Sequence, residues 1–306
     1  MEDRIQISLE EMLLLKAEAR GFSLQPRQPV ASLLAGRHAS RLRGRGLAFE
    51  ELRQYHQGDD VRTIDWKATA RLRSPQVRVY SEERERPVLF VVDQRSPMFF
   101  GSQRAMKSVT AAELVAIGAW RALSSGDRVG GIVFNEQEIV QVRPHRSQTR
   151  MLQLFHETVR FNQRLATGEQ VTGELALNDA LRHALSVANH SHLVVIVSDL
   201  DGADEQTERL STQIAAHNDV LVVAVYDPLG ASLIGSPGMI AADRGKSWNI
   251  PDSSQFADAF RVAFQQRLDR WTQLFHNLRV PVLPITTAAA VAGQIRSLLG
   301  DRPAQS

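Results

Sequence analysis

"VLFVVD", residues 88–93, is the clearest indication of the fold class in this 306-residue chain. Five consecutive apolar residues are typical of a β-strand that is buried on both faces, and Asp93 then marks the end of the strand. Similar short runs recur downstream, and longer segments with helical periodicity separate them. Strands that alternate with helices predict an α/β domain with a doubly wound, mostly parallel sheet. The other runs are "VGGIVF" (129–134), "LVVIVSD" (193–199), "VLVVAVYD" (220–227) and "VPVLPIT" (280–286).

One connection differs from this alternation. The segment "EQEIVQVRP" (136–144) follows the run 129–134 after a short polar turn at Asn135 and Glu136. Because this connection is too short for a helical crossover, we expect a hairpin. The sheet should therefore have one antiparallel edge strand.

The first 86 residues have a different pattern. A helical segment, "LEEMLLLKAEARG" (9–21), precedes a stretch with Pro and Arg and then a charged block that contains Phe49, Tyr55 and Trp66. These aromatic residues are too few to build a large core of their own. We therefore predict a small N-terminal accessory segment over 1–86 and the α/β domain over 87–306.

The composition excludes several classes of site. The chain has no cysteine, so it has no disulfide framework, no thiolate metal site and no cysteine nucleophile. The N-terminus lacks the order of charges and apolar residues of a signal peptide, and no run approaches the ~20 apolar residues of a membrane span. We therefore expect a cytoplasmic protein.

A basic stretch, "GRHASRLRGRG" (36–46), contains four arginines and no acid. Such a stretch can bind phosphates or an acidic protein surface, or it can be a solvated loop. It leaves open a nucleic-acid-binding function, although no aromatic interleaving or reader motif accompanies it. The candidate docking patch consists of Arg37, Arg41, Arg43 and Arg45.

A dense motif, "FEELRQYHQGDDVRTIDWKATAR" (49–71), resembles the signature of a bacterial family called domain of unknown function fifty-eight. The resemblance implies a von Willebrand factor A-like, Rossmann-like fold. It also implies partnership with a MoxR-type AAA+ ATPase, as an adaptor or co-chaperone that acts on a client protein. The positions that match the signature are Phe49, Arg53, Tyr55, Gly58, Asp59, Asp60, Arg62, Ile64, Asp65, Trp66, Ala70 and Arg71.

We expect the signature to be mainly structural and to clamp the accessory segment onto the sheet domain. Trp66 should then be largely buried. A compact charged turn must satisfy its charges locally, so three arginines should pair with motif aspartates or nearby acids. The arginines are Arg53, Arg62 and Arg71, and the aspartates are Asp59, Asp60 and Asp65. The alternative is that the motif forms a surface for a partner.

The resemblance also bears on Asp93. A von Willebrand factor A domain typically binds a divalent cation through D-x-S-x-S, a threonine and a second aspartate, and hard cations such as Mg²⁺ prefer such oxygen ligands. Here Arg95 and Pro97 occupy the two serine positions. We therefore predict no cofactor, and an ion pair in which Arg95 replaces the metal between Asp93 and Asp199. The alternative is a Mg-dependent ligand-binding domain whose degenerate site consists of Asp93, Ser96, Thr172 and Asp199.

An enzymatic function has weak support in the sequence. Ser96 could be paired with His183 or His192 as a nucleophile and base, but the residues around Ser96 do not form the G-x-S-x-G nucleophile elbow. The sequence also contains no glycine-rich phosphate loop. We therefore predict a non-enzymatic protein-interaction module.

Overall fold

The computed structural model describes residues 4–24, 47–57, 59–82, 86–167, 173, 175–230, 240–243, 246–249 and 280–299, together with isolated positions between 255 and 275. Residues 1–31 and 86–306 form one compact unit, the sheet unit. Residues 32–85 form a second, smaller unit, the accessory unit.

The described strands are β1 (Leu47–Gln54), β2 (Gln76–Glu82), β3 (Pro87–Asp93), β4 (Arg128–Phe134), β5 (Ile139–His145), β6 (Leu193–Ser198), β7 (Asp219–Tyr226), β8 (Ile240–Asp243), β9 (Lys246–Asn249) and β10 (Val282–Thr286). Six strands of the sheet unit form one sheet in the order β10-β7-β6-β3-β4-β5. All neighbours are parallel except β4 and β5, which form the predicted antiparallel hairpin at the edge. β3 is buried at every position, as its unbroken apolar run predicts.

Helices cover both faces of this sheet. The described helices are α1 (Leu9–Leu14), α2 (Trp66–Leu72), α3 (Lys107–Ser124), α4 (Gln148–Ala166), α5 (Leu177–Val187), α6 (Glu205–Ala215) and α7 (Val291–Leu299). One apolar core lies between the sheet and α1, α3, α4 and α7, and a second lies between the sheet and α5 and α6. Among the described residues, no helix is both long enough and apolar enough to cross a membrane. The segment 253–278, where the helical periodicity also predicts a helix, lies mostly outside the described residues.

The N-terminal helix α1 packs with the sheet unit. Its buried residue Met12 joins the core beside α3, and the indole Nε1 of Trp120 donates to the Met12 carbonyl at 3.1 Å. Arg4 forms an ion pair with the buried Glu113 of α3. The predicted accessory segment 1–86 is thus divided, because the apolar side of α1 is buried against α3 and only residues 32–85 form the second unit.

The accessory unit consists of an antiparallel pair, β1 and β2, with α2 between them in the chain. Two aspartates start its short helical turns. Asp60 accepts from the backbone N of Arg62 at 3.0 Å, and Asp65 accepts from the backbone N of Ala68 at 3.0 Å as the N-cap of α2. The signature therefore encodes local turns of the chain.

Candidate functional site

Asp93 ends β3 at the carboxyl edge of the sheet and is fully buried. Its Oδ1 accepts from the backbone N and the Nε of Arg95, both at 3.0 Å, and its Oδ2 accepts from Arg95 Nη2 at 2.7 Å. Ser198, the last residue of the neighbouring β6, donates its hydroxyl to the same Oδ2 at 2.6 Å. Asp93 and Arg95 therefore form a buried ion pair that the next strand completes.

The charges of this pair depend on each other. Complete burial raises the pKa of Asp93, and the guanidinium of Arg95 opposes that shift. Burial disfavours the charged form of Arg95 as well, but the Asp93 carboxylate outweighs burial and raises the pKa of Arg95. Arg95 Nη2 also donates to the carbonyl of Asp201 at 3.0 Å, so the guanidinium joins the ends of β3 and β6.

The second carboxylate, Asp199, has a cation of its own. Its Oδ2 lies 2.5 Å from the Nζ of Lys107, the first residue of α3, and its Oδ1 accepts from the backbone N of Asp201. Burial would raise the pKa of Asp199, but the Lys107 ammonium outweighs burial and lowers it. Arg95 acts on Asp199 through its charge, while its described hydrogen bonds go to Asp93 and Asp201. The predicted bridge by Arg95 alone is thus replaced by two cations, one for each carboxylate.

Sequence reasoning missed Lys107, because a lysine at the start of a helix indicates that an anion is needed but not which residue supplies it. The N-terminus of a helix carries a partial positive charge and usually favours acids in the first turn. A buried lysine at the first position of α3 therefore requires a nearby anion, and Asp199 supplies it.

The remaining predicted ligands have other arrangements. Ser96 begins a short 3-10 turn that contains Pro97, and its backbone N donates to Glu136 Oε1 at 2.7 Å. The buried Oε2 of Glu136 has no hydrogen-bond partner in the described part of the chain. Thr172 lies outside the described residues. Within the described ranges, no group of three or more His, Asp or Glu side chains is arranged to hold a metal ion.

The serine and histidines considered for hydrolysis lie apart. Ser96 follows β3 at the carboxyl edge of the sheet, whereas His192 directly precedes β6 at the amino edge. His183 is exposed on α5. The fold therefore does not bring Ser96 and His192 together.

Comparisons with known proteins place this geometry in a family. A family model described as "Protein of unknown function DUF58" matches residues 51–272. The uncharacterized proteins Mb1516 of Mycobacterium bovis and Rv1480 of Mycobacterium tuberculosis are each 31% identical to this chain over 259 residues, which covers 83% of this chain and 80% of each relative. The chain belongs to the DUF58 family.

The DUF58 match spans both parts of the candidate site. It includes most of the signature and extends through Asp93 and Asp199. Phe49 precedes the matched range, and its side chain lies outside the described residues, as does Gly58. The four arginines of the basic stretch also lie outside the described residues.

Two aspartates of the DUF58 signature form ion pairs. Arg53 donates to both carboxylate oxygens of Asp59, from Nη2 at 2.8 Å and from Nη1 at 2.9 Å. This pairing, with the backbone N of His56, lowers the pKa of Asp59 to about 2. Asp65 pairs with Arg78 of β2, outside the motif. The local pairing that we predicted therefore holds for Arg53. It is wrong for Arg62 and Arg71, which have no acidic partner among the described residues, and Asp65 pairs with a strand residue instead.

Trp66 contradicts the expectation of burial, because it is 70% exposed. It is the first residue of α2, directly after the N-cap Asp65, and the buried residue of this short helix is Ala68. The N-cap Asp65 fixes the residue at which α2 begins. Lys67 and Ala70, which follow Trp66 on this helix, are exposed as well. The alternative, in which the motif forms a surface, is consistent with this geometry.

Proposed function

We propose that this DUF58 chain is a non-enzymatic protein-interaction module, an adaptor or co-chaperone for a MoxR-type AAA+ ATPase. The observation that carries the proposal is the exposure of Trp66 on the signature helix α2. Tryptophan is enriched among the residues that dominate binding energy, because its ring buries a large area when a partner covers it. The resemblance of the signature supplies the kind of partner.

Four cationic residues lie near Trp66 in the sequence, and we call Trp66 with Arg62, Lys67, Arg71 and Arg73 the Trp66 face. All five residues are exposed, and none of the four cationic side chains has an acidic partner among the described residues. Lys67 and Arg71 lie four positions apart on α2, where like charges destabilise a helix by about 0.2–0.5 kcal/mol. An acidic partner surface would relieve this repulsion, so we expect the ATPase to present carboxylates to the Trp66 face.

The carboxyl edge of the sheet is the second part of the proposal. We propose that the sheet unit is von Willebrand factor A-like and that a client binds this edge without a divalent cation. Arg95 and Lys107 support this idea, because they supply positive charge to Asp93 and Asp199, which a bound metal would otherwise supply.

Nucleic-acid binding is the second candidate function. An exposed aromatic ring among unpaired cations can stack on a base while the cations contact phosphates. Salt screens both kinds of binding, but nucleic-acid binding should fall more steeply with salt than docking to an acidic protein surface, because each phosphate contact releases a counterion.

Co-purification with a tagged MoxR-type ATPase tests the proposal. We expect the ATPase to retain the chain, and the retained amount should depend on ATP. In the absence of nucleotide, EDTA should not abolish retention. Retention of the chain on single-stranded DNA but not on the ATPase would replace the proposed function with the second candidate.

A further inference from the structure

A cavity of about 420 Å³ opens at the amino edge of the sheet, the edge opposite Asp93. It lies between the start of β4, the end of β5 and the carboxyl end of α5, and its lining includes Arg128, Gln141, Arg143, Asn189 and His192. All lining residues belong to the described part of the sheet unit. Its volume is within the range of ~300–1,000 Å³ that is typical of small-molecule sites.

A β-bulge forms one wall of the cavity. The register between β4 and β5 shifts so that Val129 opposes His145 while Gly131 opposes Val142. Arg143 and Pro144 therefore occupy the place of one residue opposite Gly130. A side chain at Gly130 would come within 2.4 Å of the Pro144 N, so glycine is required for this close approach. Bulges of this kind often redirect a side chain beside a binding site.

The lining is positively charged. Arg128 and Arg143 both line the cavity, and no carboxylate does. In the described part of the chain, neither guanidinium forms a hydrogen bond or an ion pair. Burial lowers the pKa of His192 against the opposing hydrogen bond with the His190 carbonyl, and the charge of Arg128 lowers it further.

The carboxyl end of α5 does not account for the two arginines. A helix end carries a partial negative charge of about half a unit, which is less than the charge of two guanidinium groups. Neither guanidinium donates to a carbonyl of that helix end. The five donors of each guanidinium therefore remain available to a ligand.

We propose that this cavity binds a small phosphate-bearing molecule, with Arg128 and Arg143 as the groups that hold its phosphate. A guanidinium matches the geometry of phosphate oxygens with two parallel hydrogen bonds. The amides of Gln141 and Asn189 are neutral and can bond the rest of the ligand. The cavity shares no residue with the Trp66 face or with the ion pairs at the carboxyl edge, so the inference does not depend on the proposed function.

Isothermal titration with pyrophosphate at constant ionic strength tests the inference. We expect saturable one-to-one binding that weakens about tenfold or more in both Arg128→Gln and Arg143→Gln, since each loses a charge-assisted bond. Gln141→Glu keeps the size of an exposed side chain and adds a negative charge, so it should also weaken binding. Arg209→Gln, an exposed arginine of α6 outside the cavity, should bind as the unmodified protein does.

Two results would overturn the inference. One is the lack of saturable pyrophosphate binding to the unmodified protein. The other is equal binding by Arg128→Gln, Arg143→Gln and Arg209→Gln. A short oligonucleotide without a terminal phosphate serves as a second ligand. If it competes with pyrophosphate for Arg128, the phosphate source is a nucleic-acid backbone, and the proposal of a small molecule is wrong.

Discussion

Removing the guanidinium of Arg95 tests whether the chain itself neutralises Asp93. Arg95→Met removes the donors at Nε and Nη2 and leaves the fully buried carboxylate with the Ser198 hydroxyl and one backbone N–H. Breaking a buried ion pair from one side typically costs about 3–5 kcal/mol. We expect the free energy of unfolding at pH 7 to fall by about this amount. Urea unfolding followed by circular dichroism measures it.

The pH dependence of this loss has a definite sign. Burial raises the folded-state pKa of Asp93 above its unfolded value, and removal of the guanidinium should raise it further. A group with a raised folded-state pKa contributes its stability below the unfolded pKa and loses it as pH rises through the folded pKa. The deficit of Arg95→Met should therefore shrink as the pH falls from 7 towards roughly 4.

The double variant Asp93→Asn/Arg95→Met is the matched control, because it removes both charges. We expect it to be more stable at pH 7 than Arg95→Met, since no buried charge remains without a partner. Two results would show that Arg95 does not neutralise Asp93. One is a loss of less than about 1 kcal/mol in the free energy of unfolding of Arg95→Met, and the other is a double variant that is no more stable than the single one.

Two other predictions concern the remaining ion pairs. Lys107→Met leaves Asp199 without its ammonium partner. Because the pKa of Asp199 is lowered in the folded protein, the stability from this pair is present above the unfolded pKa and is lost as pH falls through the folded pKa. The variant should therefore have a lower free energy of unfolding than the unmodified protein at pH 7, and the difference should shrink in acid. Equal urea midpoints at pH 7 would contradict this. Arg53→Gln should return the pKa of Asp59 from about 2 towards roughly 4, and a carboxyl resonance that titrates unchanged in NMR would contradict it.

The sheet was predictable because its signals are local. The apolar run 88–92 predicts a strand that is buried on both faces and therefore lies inside the sheet. The short turn before β5 predicts a hairpin and therefore places β5 beside β4. The pairing of Lys107 with Asp199 was not predictable, because it depends on how α3 packs beside β6. The same limit applies to α1, whose sequence indicates a helix with an apolar side but not the unit against which that side packs.

Trp66 shows a different limit. Its motif is dense in charged and aromatic residues, and such density occurs both in compact cores and in binding surfaces. The sequence shows the N-cap Asp65, but the exposure of the ring depends on what packs on α2, and the structure leaves that ring 70% exposed.

The affinity of a purified MoxR-type ATPase, the proposed partner, for Trp66→Ala tests whether the exposed Trp66 ring holds the ATPase. Leu14→Ala is the control, because Leu14 is an equally exposed apolar residue, at 70%, in the sheet unit. We predict that both variants keep their unfolding free energy within about 0.5 kcal/mol, since both side chains are exposed. Only Trp66→Ala should lose about 2 kcal/mol of binding, roughly a 30-fold rise in Kd. A normally folded Trp66→Ala protein that binds the ATPase as tightly as Leu14→Ala would contradict the account.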